Sequence, residues 1–171
     1  QLGLTRRPKD TATQQAAASV GQGSLMAYYS QSFQRYDTTV AQVLLTAEEL
    51  MRRRQYINAH RSLARLLTMD VMPIVNENDA VATREIRFGD NDRLAALTAN
   101  LVKADLLVLL SDVDSLYTGH PALPDSRRIA TVASDDDLEG VDVRRPGAAG
   151  VGTGGMVTKV DAAGIAATTG I

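Results

Sequence analysis

Three short blocks carry side chains able to hold anions and cations together: Asn76-Glu77-Asn78-Asp79, Gly89-Asp90-Asn91-Asp92, and Gly152-Thr153-Gly154-Gly155-Met156-Val157-Thr158-Lys159. Carboxylates and amides can receive the ammonium and carboxylate of an amino acid. Glycines let backbone N–H groups come close to phosphate oxygens, and a lysine adds a cation. The chemistry this set points to is phosphoryl transfer between a nucleotide and a small polar substrate.

The glycine block needs the closest reading, because Gly150-Val151-Gly152-Thr153-Gly154-Gly155 satisfies G-x-G-x-x-G. A dinucleotide fingerprint must directly follow a strand, whereas this one follows Arg144-Arg145-Pro146-Gly147-Ala148-Ala149. A Walker A loop fails too, since Thr158 precedes Lys159 where that motif has glycine. What remains is a loop whose N–H groups could face phosphates, leading into a helix from about Gly155 with its positive dipole end. A glycine-rich surface loop is the plain alternative. Lys159 falls in the first helical turn, where the dipole disfavours a cation, so it calls for an anionic partner.

Any one of Asp90, Asn91 and Asp92 could cap the helix that runs on through Leu94, Leu97 and Leu101. Three in a row exceed that need and concentrate negative charge, which requires lysines, a cationic ligand group or a metal ion nearby. Asp112-Val113-Asp114 can be a turn, and Ser134-Asp135-Asp136-Asp137 fits a solvated helix start.

The elements that must position these blocks alternate between helix and strand. Gln14 to Tyr36 reads as a long helix, Val40 to Leu45 as a strand, and Thr46-Ala47-Glu48-Glu49 as a capping box opening a short helix. A longer helix, Asn58 to Met69, follows. Met72 to Val75 and Leu106 to Leu110 are short, continuously apolar and ended by polar residues, the pattern of parallel strands covered on both faces. Ligands in open α/β sheets bind beyond the carboxyl ends of strands. Those ends carry Thr46, Asn76 to Asp79, and Ser111-Asp112, a set that would line one edge of the sheet. Pro121 to Ala149 reads as an irregular excursion with a short strand at Arg128 to Val132.

Composition narrows the classes. At 171 residues and 44% hydrophobic content the chain can bury a core, and the expectation is one domain. Eighteen basic and twenty acidic residues, net −2, give no overall field toward nucleic acid or membrane. Arg52-Arg53-Arg54 fits a solvated helix face. With no cysteine and two distant histidines, His60 and His120, disulfides, thiolate metal sites and histidine-rich metal sites fall away, in keeping with a reducing cytoplasm. No apolar run approaches a membrane span. A start at Gln1 and a close at Gly170-Ile171, a helix stop followed by one residue, read as a piece of a longer chain.

Pro73 to Asp79, Phe88 to Asp92, Leu109 to Tyr117 and Gly152 to Lys159 resemble, in order, successive blocks of the glutamate 5-kinase family, and Gln15 to Gly23 and Gln42 to Thr46 extend the likeness over nearly the whole chain. The resemblance implies the amino acid kinase fold, a three-layer α/β/α sandwich around a mainly parallel sheet, incomplete in this chain. It implies the reaction of ATP with L-glutamate to give ADP and L-glutamyl 5-phosphate, the first step of proline biosynthesis. ATP and Mg²⁺ are the implied cofactors, proline a feedback inhibitor, and the full-length protein a cytoplasmic homo-oligomer. Residue by residue, it implies Lys159 and Asp92 as catalytic, and Asn76, Asp79, Asp90 and Asn91 as holding glutamate. Ser111, Asp112, Thr153, Gly154, Gly155, Met156, Val157, Thr158 and Lys159 are implied at the nucleotide, with no protein ligand for a metal. The nucleophile would be the substrate's own carboxylate, ionised above its ordinary pKa of about 4.3, so no general base is required.

The chain departs from the family pattern in lacking the Lys-x-Gly-Ser/Thr strand and the Ser-Ser-Gly-Ala turn. Ser115 replaces a glycine, and His120 stands where an acidic residue is usual. Two other readings stay open at this point: a related acetylglutamate or carbamate kinase, and a non-catalytic module that senses nucleotide or amino acid.

Overall fold

A computed structural model describes residues 3, 6, 8–81, 91–141 and 155–171. The chain forms two compact units, Gln1–Phe88 and Gly89–Ile171.

In the first unit, helix α1 spans Thr11–Gln34. It starts three residues before the sequence reading because Asp10 caps it: the Asp10 carboxylate accepts the Thr13 N–H at 2.8 Å. The same bonds hold the Asp10 carboxyl below its ordinary range. Strand β1, Thr39–Leu45, follows. Helix α2, Ala47–Met51, is opened by the expected capping box: the Glu49 N–H donates to Thr46 Oγ1 at 3.3 Å, and the Thr46 N–H donates to Glu49 Oε2 at 2.7 Å. Helix α3, Arg53–Thr68, begins five residues earlier than Asn58 and buries Leu63 completely. Asp70, at φ 55°, turns the chain into strand β2, Val71–Glu77, since a short polar side chain tolerates this left-handed conformation.

β1 and β2 pair in parallel from Thr39↔Val71 to Leu45↔Glu77, joined by α2 and α3. The pairing is carried past β2 by the Asn78 N–H, which donates to the Leu45 carbonyl at 2.9 Å. Because N–H directions alternate along a strand, this bond turns even-numbered β2 residues toward β1. Pro73, which has no N–H, therefore falls where β2 turns its nitrogen away from β1, a side with no paired strand among the described residues.

In the second unit, α4, Asn91–Val102, and α5, Met156–Thr168, make the principal contact. Leu94, Ala96, Ala99 and Leu101 of α4 are buried, as are Ala162 and Ala166 of α5. Alanines on both helices let the backbones approach closely. α5 closes as expected at Gly170, whose φ of +83° allows Gly170 N–H and Ile171 N–H to donate to the Ala167 and Ala166 carbonyls. β3 (Leu116–Tyr117), just before the excursion, pairs antiparallel with β4 (Arg128–Ile129) inside it, and β4 is shorter than the strand expected at Arg128 to Val132. A 3₁₀ turn at Asp135–Leu138 is capped by the Asp137 carboxylate, which accepts the Ser134 N–H at 3.1 Å.

One strand expectation is corrected. Leu106 to Leu110 has no strand partner among the described residues, and Leu106, Val108 and Leu110 are exposed while Leu107 and Leu109 are half-covered. That alternation has the period of a strand, but a strand is defined by a neighbour's hydrogen bonds. The α/β character thus rests on β1 and β2 with their helices. No helix among the described residues is long and apolar enough to cross a membrane.

Replacing fully buried Leu63 with alanine is expected to lower stability by about 2–5 kcal/mol, read from urea denaturation, with a far smaller loss for Leu67→Ala at the exposed position. Since the folded-state pKa of Asp10 is lowered, its capping contribution is full above the ordinary carboxylate range and is lost as pH falls through the lowered value. Helicity by circular dichroism should therefore fall more between about pH 5 and pH 2 in the wild type than in Asp10→Asn, whose amide caps without titrating.

Candidate active site

The second unit brings two helix N-termini together. Asp92 lies in the first turn of α4, and Thr158 and Lys159 lie in the first turn of α5. Lys159 Nζ is 3.0 Å from both Oδ1 and Oδ2 of Asp92. The side chains are 21% and 15% exposed, so the pair is largely sheltered from water. Thr158 Oγ1 stands 2.9 Å from Asp92 Oδ2 and 2.8 Å from the Gly155 carbonyl oxygen, and it accepts the Gly155 N–H at 3.1 Å. Gly155 is the N-cap of α5 and has no side chain to complete a capping box, so Thr158 supplies only the return half.

The electrostatics follow from this placement. Each helix N-terminus acts as roughly half a positive charge. Two of them meet where one lysine is balanced by one carboxylate, which leaves the pair in a field that favours anions. The anionic partner demanded by a first-turn lysine is thus found inside the chain, in Asp92. Such a group can stabilise negative charge developing on a transferring phosphoryl group, a task that needs fixed cations and N–H donors more than it needs a base.

The remaining expected residues fall in several places. Asn91 opens α4, exposed, beside Asp92. Gly155, Met156 and Val157 form the cap and first residues of α5. Ser111 and Asp112 lie in an exposed turn, where Ser111 Oγ accepts the Val113 N–H at 3.4 Å. In the first unit, Asn76 sits at the end of β2 and Asp79 in the turn after it, both half-buried. That turn is held by Asp79 N–H to the Glu77 carbonyl at 2.9 Å and Val81 N–H to the Asn78 carbonyl at 3.2 Å. With Thr46 directly after β1, the level ends of the two parallel strands carry Thr46, Asn76 and Asp79, whereas the third expected end, Ser111-Asp112, follows no strand among the described residues. Asp90, Thr153 and Gly154 lie outside the described residues.

Among the described residues, no group of three or more His, Cys, Asp or Glu side chains is placed to hold a metal ion. A Mg²⁺ carried by nucleotide phosphates needs only one or two protein carboxylates, so this donor set is compatible with one. The contact sequence reasoning missed is the Thr158 hydroxyl to Asp92. Its signal in the sequence is a threonine three residues after a glycine N-cap, a spacing that marks a helix start as well as the end of a loop.

Compared with known proteins, the family model described as "Amino acid kinase family" matches residues 1–171. A glutamate 5-kinase of Thermobifida fusca (strain YX) is 62% identical over 170 residues, covering 99% of this chain and 44% of that protein. One from Streptomyces coelicolor is 64% identical over 170 residues, covering 99% and 46%. One from Leifsonia xyli subsp. xyli is 59% identical over 169 residues, covering 99% and 63%. The chain spans a little under half the length of the first two.

Removing the carboxylate with Asp92→Ala leaves a sheltered lysine near two helix N-termini without its charged partner. Stability should fall by about 1–3 kcal/mol by urea denaturation, and should recover in part in the double variant Asp92→Ala/Lys159→Met, where the stranded charge is gone.

Proposed function

The chain belongs to the amino acid kinase family, and from that premise we propose that it carries much of the active site of a glutamate 5-kinase, transferring the γ-phosphoryl group of ATP to the γ-carboxylate of L-glutamate. The observation that carries this reading is the Lys159–Asp92 pair at the meeting of two helix N-termini, at the end of the glycine block. High identity to proteins named glutamate 5-kinase supports the choice of substrate. The product, L-glutamyl 5-phosphate, is the first intermediate of proline synthesis from glutamate.

In the proposed reaction the nucleophile is an ionised carboxylate, and the obstacle is repulsion between two anions. Lys159 offsets that repulsion by neutralising charge on the transferring group, and the N-terminus of α5 adds fixed N–H donors. Asp92 holds Lys159 in place and does not act as a base, since the reacting γ-carboxylate has no proton to lose at neutral pH. Asn76, Asp79, Asp90 and Asn91 are assigned to glutamate, with a carboxylate for its ammonium group. Ser111, Asp112 and Thr153 to Lys159 are assigned to ATP. Mg²⁺ bound by the phosphates would lower their charge further. A cytoplasmic setting, proline as inhibitor and a homo-oligomeric full-length protein belong to the same proposal.

Hydroxylamine trapping tests it: the full-length protein with MgATP should form hydroxamate with glutamate and none with N-acetylglutamate or aspartate. Product with N-acetylglutamate alone would move the assignment to a different kinase of the family. Lys159→Ala should lower kcat by about 10²–10³-fold, with KM for glutamate changed far less; equal small effects on both would make the lysine structural.

A further inference from the structure

Thr158 is assigned to ATP with the rest of the glycine block, yet its side-chain hydroxyl is turned to the protein. Its hydroxyl has one proton and two candidate acceptors, Asp92 Oδ2 at 2.9 Å and the Gly155 carbonyl at 2.8 Å. A carboxylate is the stronger acceptor of the two, because a hydrogen bond to an ionised group is about twice as strong as one between neutral groups. With the proton given to Asp92, the oxygen lone pairs face the Gly155 N–H, which donates to it at 3.1 Å. The hydroxyl is then committed on both sides to the protein.

We propose that Thr158 is a positioning residue: its hydroxyl fixes the Asp92 carboxylate in the orientation that receives Lys159, and ties that carboxylate to Gly155 at the end of the glycine block. Without this bond, rotation about the terminal torsion of Asp92, which is broad for a carboxylate, would carry the lysine with it. Lys159 reaches both oxygens at the same 3.0 Å only while the carboxylate plane is held. The Gly155 N–H gives the arrangement a second function, because a shift of the glycine block is passed through one oxygen atom to Asp92. The hydroxyl thus acts through Asp92, leaving the backbone of Thr158 for the nucleotide, and the inference rests on the reading of Lys159 and Asp92 as phosphoryl-transfer machinery.

The test is a double-variant cycle in the full-length protein with Thr158→Val, which keeps the shape and removes the hydroxyl, and Asp92→Asn. Thr158→Val should lower kcat about 10- to 100-fold with KM for ATP and glutamate within about threefold, as for other groups that orient an active-site residue. Thr158→Ser should recover kcat to within about threefold of wild type. On the Asp92→Asn background, Thr158→Val should cost less than about twofold more, since its route of action is gone. Wild-type kcat in Thr158→Val, full multiplication of the two losses, or a raised KM for ATP at unchanged kcat would each overturn the proposal. Should Thr158→Val not fold, Thr158→Ala, a better helix former, makes the same comparison. If the wild type forms no hydroxamate with any substrate, the proposed reaction fails, and the Thr158–Asp92 link is decided by urea denaturation of the same four proteins. Coupling of about fivefold or more in the unfolding constant then upholds the link, and additive effects refute it.

Discussion

A lysine in the first turn of a helix works against the dipole of that helix, and in this chain the conflict is resolved by one carboxylate. Lys159 is held by Asp92, which is itself in a favourable place at the start of α4. The two helices that bring these groups together lie in contact, and Ala96 and Ala99 of one and Ala162 and Ala166 of the other are buried. Packing and electrostatics therefore act together in the second unit, where the contact of α4 with α5 holds the charged pair within reach.

The first unit solves a different problem by similar means. Two parallel strands in full register must end level, so the residues that follow them are neighbours whatever their separation along the chain. The Asn78 to Leu45 bond extends the ladder past the end of β2 and keeps the Asn-Glu-Asn-Asp block beside Thr46. Thr46 meanwhile is occupied with Glu49 as a helix cap, which stiffens the turn out of β1. Polar groups at these strand ends are supported by backbone geometry, leaving Asn76 and Asp79 half-covered and able to meet a polar ligand.

Much of this could be read from residue order alone, and the reasons are local. The Thr46 to Glu49 box, the close of α5 at Gly170, and the strands around Val43 and Ile74 each depend on residues within a few positions of one another. Asp10 went unread as the start of α1 because a lone aspartate before a polar stretch has no apolar period to mark it. Leu106 to Leu110 looked like a covered strand because an apolar run reports the wish for a partner without naming it. The Thr158 to Asp92 bond was invisible for a related reason: nothing in either neighbourhood states that α4 and α5 will lie against each other. Periodicity finds the faces of helices, while their pairing is settled by packing between segments distant in the chain.

The distance along the chain between the two partners has its own consequence. Lys159 and Asp92 are 67 residues apart, so bringing them together closes a long loop at an entropic cost on the order of 4 kcal/mol, before the contact returns anything. α4 emerges from synthesis well before α5, and until α5 follows, Asp92 faces no lysine. The charged centre therefore cannot form before both helices have been made. The ion pair belongs to neither helix alone, and a chain that ends between them carries one of its charges without the other.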